Sequence, residues 1–205
     1  FGMSWLYGQA GSLYLNDIGM YMMNSNQFEF TALISFILLF AGFGYKISSA
    51  PFHYWVPDVY QGAPAPVTAF FAVAPKLAGF ALLIRFLYTT MAQLNLSTLA
   101  IESIYVDWNL ILAVLSAFTM TIGNILAIRQ EDVKRVLAYS SISHAGFIMM
   151  GFAVISFEAV SHMLFYMVIY SFMTLGAFGV LIAIQDKYSI KSIEEWNGIG
   201  YVHPM

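Results

Sequence analysis

The stretch FEFTALISFILLFAGFGYKISSAPFHYWVPDVYQGAPAP, residues 28–66, decides how this chain folds. It opens as an apolar run from Phe28 to Ala50, and a membrane span needs about 20 mostly apolar residues. Pro51 then interrupts the run, because proline lacks the N–H that the helix ladder requires. Hydrophobic character nevertheless resumes through Phe52, Tyr54, Trp55 and Val56. The pattern predicts a discontinuous helix over roughly residues 28–60 rather than one completed span. Irregular backbone at membrane depth survives only where it is buried in protein or lines water.

The flanking sequence extends this reading. The chain has 205 residues, 60% hydrophobic and 9% charged, whereas soluble domains carry about 25% charged residues. Its mean hydropathy is +0.74. Too few polar side chains are available to coat a water-facing globule, so an all-α, polytopic membrane bundle is expected. Spans are expected at 28–50 (with a broken continuation to 60), 64–90, 108–128, 136–155 and 159–184, together with a partial helix over 1–15. These form a single membrane domain, 1–205. Polar loops are expected at Asn16–Gln27, Gln93–Asp107, Arg129–Arg135 and Gln185–Met205. The chain opens at Phe1 inside an apolar run, without a basic n-region, and stops at His203-Pro204-Met205. No cleavable signal peptide is expected, and the chain reads as the central fragment of a longer subunit.

Loop charges orient the bundle. Arg129, Lys134 and Arg135 share one short loop, and Lys187 and Lys191 lie two helices later, on the same side. The intervening connections carry Glu102, Asp107 and Glu158 but no Lys or Arg. The excess of basic residues puts that side in the cytoplasm, matrix or stroma. With no Cys, disulfides, thiolate metal sites and iron–sulfur ligation are excluded. The net charge of −3 argues against nucleic acid as a partner. His53 and His144 have no companion spacing for a metal, and no phosphate loop, nucleophile elbow or dinucleotide fingerprint is present. Any redox chemistry belongs to another subunit.

Ionisable residues inside spans are therefore the candidates for function, since each costs about 2.5–3.5 kcal/mol at a helix centre on insertion scales. Lys76 lies near the middle of its helix, too deep to snorkel easily. Pro75 before it frees the carbonyl of Phe71, which predicts a wet, polar pocket. It is either a proton-transfer group or a structural lysine paired with a carboxylate. Lys46 either snorkels from a helix end at Ala50 or, if the helix is broken at Pro51, lies near mid-membrane. His144, with Ser140, Ser141 and Ser143 close by in sequence, is a proton relay or structural glue. Glu158, His162, Tyr166, Tyr170 and Thr174 follow at i+4 steps. They either border a hydrated path or, as the preferred reading, leave Glu158 and His162 interfacial with the tyrosines packed between helices. Thr119, Thr121 and Asn124 are expected to bond between helices.

Two blocks add a resemblance. The run Gly44-Tyr45-Lys46-Ile47-Ser48-Ser49-Ala50-Pro51-Phe52-His53-Tyr54-Trp55-Val56-Pro57-Asp58-Val59-Tyr60-Gln61-Gly62-Ala63-Pro64-Ala65-Pro66-Val67-Thr68-Ala69-Phe70 resembles the signature of subunit N of NADH–quinone oxidoreductase (respiratory complex I), called subunit 2 in mitochondria and plastids. So does the block Gly123-Asn124, Gln130, Lys134-Arg135 and Leu137-Ala138-Tyr139-Ser140-Ser141-Ile142-Ser143-His144. The resemblance implies an antiporter-like fold of fourteen or so helices in two inverted repeats of five. It also implies a proton-translocating, non-redox role in an enzyme complex, with Lys46 and Lys76 on a hydrophilic axis; from its place in the sequence, His144 is the candidate to pass the proton onward. It implies NAD, FMN, iron–sulfur clusters and quinone on partner subunits and no cofactor here. The implied partners are the other membrane-arm subunits, the lipid bilayer, protons and water. The implied location is a bacterial inner (plasma) membrane, a mitochondrial inner membrane or a thylakoid. Desolvation favours a neutral lysine and a nearby carboxylate favours its charged form, so moving a carboxylate away from Lys46 would release a proton. The rivals are a cation/proton antiporter or membrane-bound hydrogenase subunit, and a purely structural scaffold.

Overall fold

The computed structural model describes residues 1–24, 30–90, 99–101, 104–106, 108–154, 156–188 and 192–198. Its α-helices are α1 (Gly2–Ala10), α2 (Leu15–Asn24), α3 (Phe30–Ile47), α4 (Trp55–Gly62), α5 (Ala65–Thr90), α6 (Trp108–Ile128), α7 (Val133–Met149) and α8 (Phe157–Tyr188). Two short strands, β1 (Leu99–Ile101) and β2 (Ile104–Val106), pair antiparallel between α5 and α6. A 3₁₀ turn at Met150–Ala153 extends α7, and another lies at Glu194–Trp196. Five segments are long and apolar enough to cross a membrane: Phe30–Ile47, Ala65–Thr90, Trp108–Ile128, Val133–Ala153 and Phe157–Tyr188. The expectation of five spans in an all-α membrane bundle is met. The chain is an integral membrane protein.

The discontinuous helix is present. α3 ends at Ile47 and α4 starts at Trp55. Ser48 takes a left-handed φ of 65°, which ends the ladder of α3. The freed amides then find new acceptors, as buried backbone donors must. Ser49 N–H bonds Gly44 O at 2.9 Å, and Ala50 N–H crosses to Thr119 Oγ1 of α6 at 3.1 Å.

Some expected boundaries change. The predicted loop at 16–27 contains α2, which the polar Asn16, Asp17 and Asn24 obscured in the sequence. Ile18 and Met22, four residues apart, are both buried, so this short helix is held by packing. α7 starts at Val133 instead of residue 136, because Asp132 caps it and accepts the Lys134 and Arg135 N–H groups at 2.8 and 3.1 Å. α8 is longer than expected at both ends. Arg85 is exposed, consistent with a snorkelling side chain. Of the groups expected to bond between helices, Thr119 accepts from Ala50 N–H in the break, whereas Thr121 donates to Ala117 O of its own helix. Glu102, Asp107 and Lys191 lie outside the described residues.

Small residues let helices approach closely. A Cβ on Gly123 would lie 2.6 Å from Ser143 N, and one on Gly146 would lie 2.7 Å from Met120 N. The α6–α7 pair therefore packs backbone to backbone. The predicted sidedness is consistent with the contacts. Lys134 Nζ donates to Ala63 O at 2.8 Å, Arg135 pairs with Asp58 at 2.7 Å, and Ile193 N–H bonds Glu131 O at 2.8 Å. The α4–α5 turn, the α6–α7 loop and the tail after α8 thus gather at one end. At the other end, Tyr88 OH donates to Ser156 O, tying α5 to the start of α8.

Candidate functional site

The apolar core divides into two clusters. One contains Phe36, Phe43, Phe80, Phe86, Ile148, Met163 and Met167; the other contains Val56, Ala69, Ala72, Ile142, Phe178 and Leu181. Along α5 the change comes between Val73 and Phe80, along α7 between Ile142 and Ala145, and along α8 between Met167 and Phe178. Buried polar side chains lie in or beside those gaps. Lys76, Ser141, Ser143, Tyr170 and Thr174 are all buried, and they form a polar layer across the middle of the bundle.

Lys76 is the charge in this layer and is only 3% exposed. Its Nζ donates to Ser141 O at 2.9 Å and to Ser141 Oγ at 2.7 Å. The Ser141 hydroxyl in turn donates to Ala138 O at 2.7 Å, and Tyr60 OH lies 3.5 Å from Ser141 Oγ. Among the described residues, no carboxylate is within ion-pair reach of Lys76. Pro75 leaves the helix continuous, and Tyr170 OH of α8 donates to Ala72 O at 3.1 Å beside it. The expected wet pocket differs from what is found. Leu77, Phe80, Ala145 and Ile148 close around the amine with Tyr170, leaving no space the size of a water molecule. Four apolar side chains occupy the volume that the proline and lysine alone would leave open.

His144 is half-buried on α7, and its Nδ1 lies 2.7 Å from Tyr166 OH. Its ring centroid is 5.4 Å from that of Tyr170. Tyr170 therefore touches the surroundings of both Lys76 and His144, and Ser141 sits one turn from His144 on the same helix. The polar stripe along α8 divides. Glu158 and His162 are exposed, Tyr166 is half-buried, and Tyr170 and Thr174 are buried between helices. Steps of four residues drift around a helix with 3.6 residues per turn, which carries the stripe from surface to interior.

Lys46 stands apart. It is exposed, on the last turn of α3 before the break, and bonds none of the described residues. Its stem lies against α5, since a Cβ on Gly79 would be 3.2 Å from Lys46 Cγ. Lys46 is thus at the depth of Gly79, one turn from Lys76 and near mid-helix, which fits the broken-helix alternative. The structure brings Lys76 and His144 into one network but leaves Lys46 on a separate face.

The sequence missed one residue of this site and left another buried group unexplained. Tyr60, 1% exposed, reaches Ser141 from α4, and its only signal was an aromatic beside the break. His53 is also 1% exposed, stacks on Tyr54 at 4.5 Å, and has both ring nitrogens without a hydrogen-bond partner. A wider apolar cavity of about 420 Å³ between α3 and α6 is bordered by Phe40, Trp108 and Leu112 and has no titratable lining.

A helix broken beside one lysine, and a second lysine buried in a polar layer, put two amines within an integral membrane helix bundle. The chain belongs to the NADH:quinone oxidoreductase/Mrp antiporter transmembrane family, whose model matches residues 1–205. NADH-quinone oxidoreductase subunit N 2 of Sorangium cellulosum is 41% identical over all of this chain, which spans 41% of that relative's length. Respiratory complex I from Thermus thermophilus with bound aureothin contains a chain 32% identical, with a TM-score of 0.66 over 93% of this chain and 36% of that one. A chain of the Mrp complex from Dietzia has the same fold at 18% identity, with a TM-score of 0.77 over 93% of this chain and 33% of its own.

Proposed function

We propose that this chain is part of the proton-translocating membrane-arm subunit N of an NADH–quinone oxidoreductase, coupling quinone reduction elsewhere in the complex to proton movement through Lys46, Lys76 and His144. Electron transfer runs on partner subunits that carry NAD, FMN, iron–sulfur clusters and quinone, and this chain carries no redox centre. Its partners are the other membrane-arm subunits and the lipid of an energy-coupling membrane. The relatives named subunit N support this assignment.

The observation that carries the mechanism is the Lys76–Ser141 pair. An ammonium has three N–H donors, and Ser141 accepts two bonds from Nζ. A neutral amine keeps two N–H groups and gains a lone pair. Both Ser141 bonds therefore survive in either state, and the third position holds a proton or a lone pair. Lys76 can change charge without rebuilding its site, which is what a relay needs in a core too tight to reorganise. A charge change at Lys46 acts on Lys76 through space, because the Lys46 stem lies beside Gly79, one turn from Lys76 on α5, and Ser141, Tyr170 and His144 continue the proton route.

The assignment is tested by purifying the full-length parent through a tag. Flavin- and iron–sulfur-containing subunits are expected to co-purify with NADH:quinone activity. A cation/proton antiporter would instead purify without them, and that result would overturn the assignment.

A further inference from the structure

His144 bonds Tyr166, and Tyr166 borders an open cleft at the end of the bundle opposite Lys134 and Arg135. The cleft has a volume of about 380 Å³ and is walled by the end of α7, its 3₁₀ extension and the first three turns of α8. Its polar lining comes from Ser156, Glu158, His162 and Tyr166, and Val154 stands at its edge, 67% exposed. A cavity of this size with several polar partners has ample room for water, unlike the sealed space beside Lys76. Glu158, His162 and Tyr166 follow at i+4 steps along one edge of α8, running from the exposed end toward His144.

We infer that this cleft is the outer-face mouth of the proton route, and that Tyr166 is the gate residue between its water and His144. The inference rests on the relay proposed above and adds where the proton leaves. In release, the His144 Nδ1–H bond breaks as a new O–H bond forms on Tyr166, whose own proton passes to water in the cleft. His144 returns to neutral, Tyr166 ends unchanged, and no electron moves. Uptake is the same step reversed. Glu158 and His162 exchange the proton with bulk solvent at the mouth. A hydroxyl 2.7 Å from an imidazole nitrogen is already at proton-transfer distance.

The test uses the complete complex in vesicles, measuring protons pumped per electron. Two interventions are compared with Lys76→Ala. Tyr166→Phe removes the hydroxyl. Val154→Cys, in a stretch with no native Cys, is reacted from the outer side with a membrane-impermeant thiol reagent that fills the cleft. Phe157→Cys, exposed at the same end but off the cleft lining, is the labelling control. Tyr166→Phe and labelled Val154→Cys are each expected to reproduce the loss caused by Lys76→Ala, while labelled Phe157→Cys pumps as the unlabelled complex does. If Lys76→Ala lowers the ratio but labelled Val154→Cys does not, or labelling Phe157→Cys lowers it equally, the outer route is wrong and the relay stands. If Lys76→Ala itself changes nothing, the relay reading fails first. Should Tyr166→Phe fail to assemble, the labelling pair decides alone.

Discussion

The α3–α4 break and the middle of α5 contain the same ingredients, a lysine and a nearby proline in an apolar span, yet they resolve differently. In the break the helix stops, Ala50 N–H is satisfied by Thr119 of another helix, and Lys46 stays exposed. In α5 the helix runs through Pro75, Tyr170 bonds the adjacent Ala72 carbonyl, and Lys76 is buried against Ser141. A proline does not by itself determine whether a membrane helix breaks. In both places a neighbouring helix supplies a hydrogen-bond partner to a backbone group near the proline. The break opens a lysine to whatever lies beyond this face, whereas the continuous helix isolates one.

That contrast can be broken at either side. Thr119→Val keeps the shape but removes the acceptor for the buried Ala50 N–H, and an unsatisfied buried amide costs about 1–3 kcal/mol. The purified parent complex is expected to unfold at lower temperature, and an unchanged melting temperature would mean that the break does not depend on α6. Ser141→Ala is expected to cost less, about 1 kcal/mol, because the backbone carbonyl still accepts one Lys76 bond. Its signature is lowered protons per electron in an assembled complex, and full pumping would show that the hydroxyl is dispensable.

The sequence made the spans legible because twenty apolar residues have few other uses, and it located the break because apolar character continued past Pro51. Lys76 and His144 were legible as charges where lipid should be. The sequence did not reveal how they are connected. Ser141 was visible as part of a hydroxyl-rich turn, but which of three serines faces α5 depends on the α6–α7 close packing at Gly123 and Gly146. Tyr60 reaches Ser141 only because α4 folds back against α7, a contact between residues 81 positions apart. The dry surroundings of Lys76 depend on side chains from three helices. α2 was hidden because its polar residues mask a two-residue anchor, Ile18 and Met22.

The Glu158–Thr174 stripe teaches the same lesson at helix scale. Its i+4 spacing was read correctly, yet half of it is surface and half interior. The buried edge of α8 is instead Ala159, Met163, Met167, Tyr170, Thr174, Phe178 and Leu181, whose steps of four, four and three residues repeat every 11 residues and so stay close to the helix's own period. Only Tyr170 and Thr174 belong to both patterns, and they lie in the polar layer.

The central claim is that Lys76 carries protons rather than merely filling its site. It is tested most directly by building Lys76→Ala into the full-length parent and measuring protons pumped per electron in reconstituted vesicles. The account predicts an assembled complex with a lowered ratio or lowered coupled turnover. An assembled complex that pumps and turns over like the unaltered one would contradict it, leaving Lys76 a structural residue in a chain whose family membership stands.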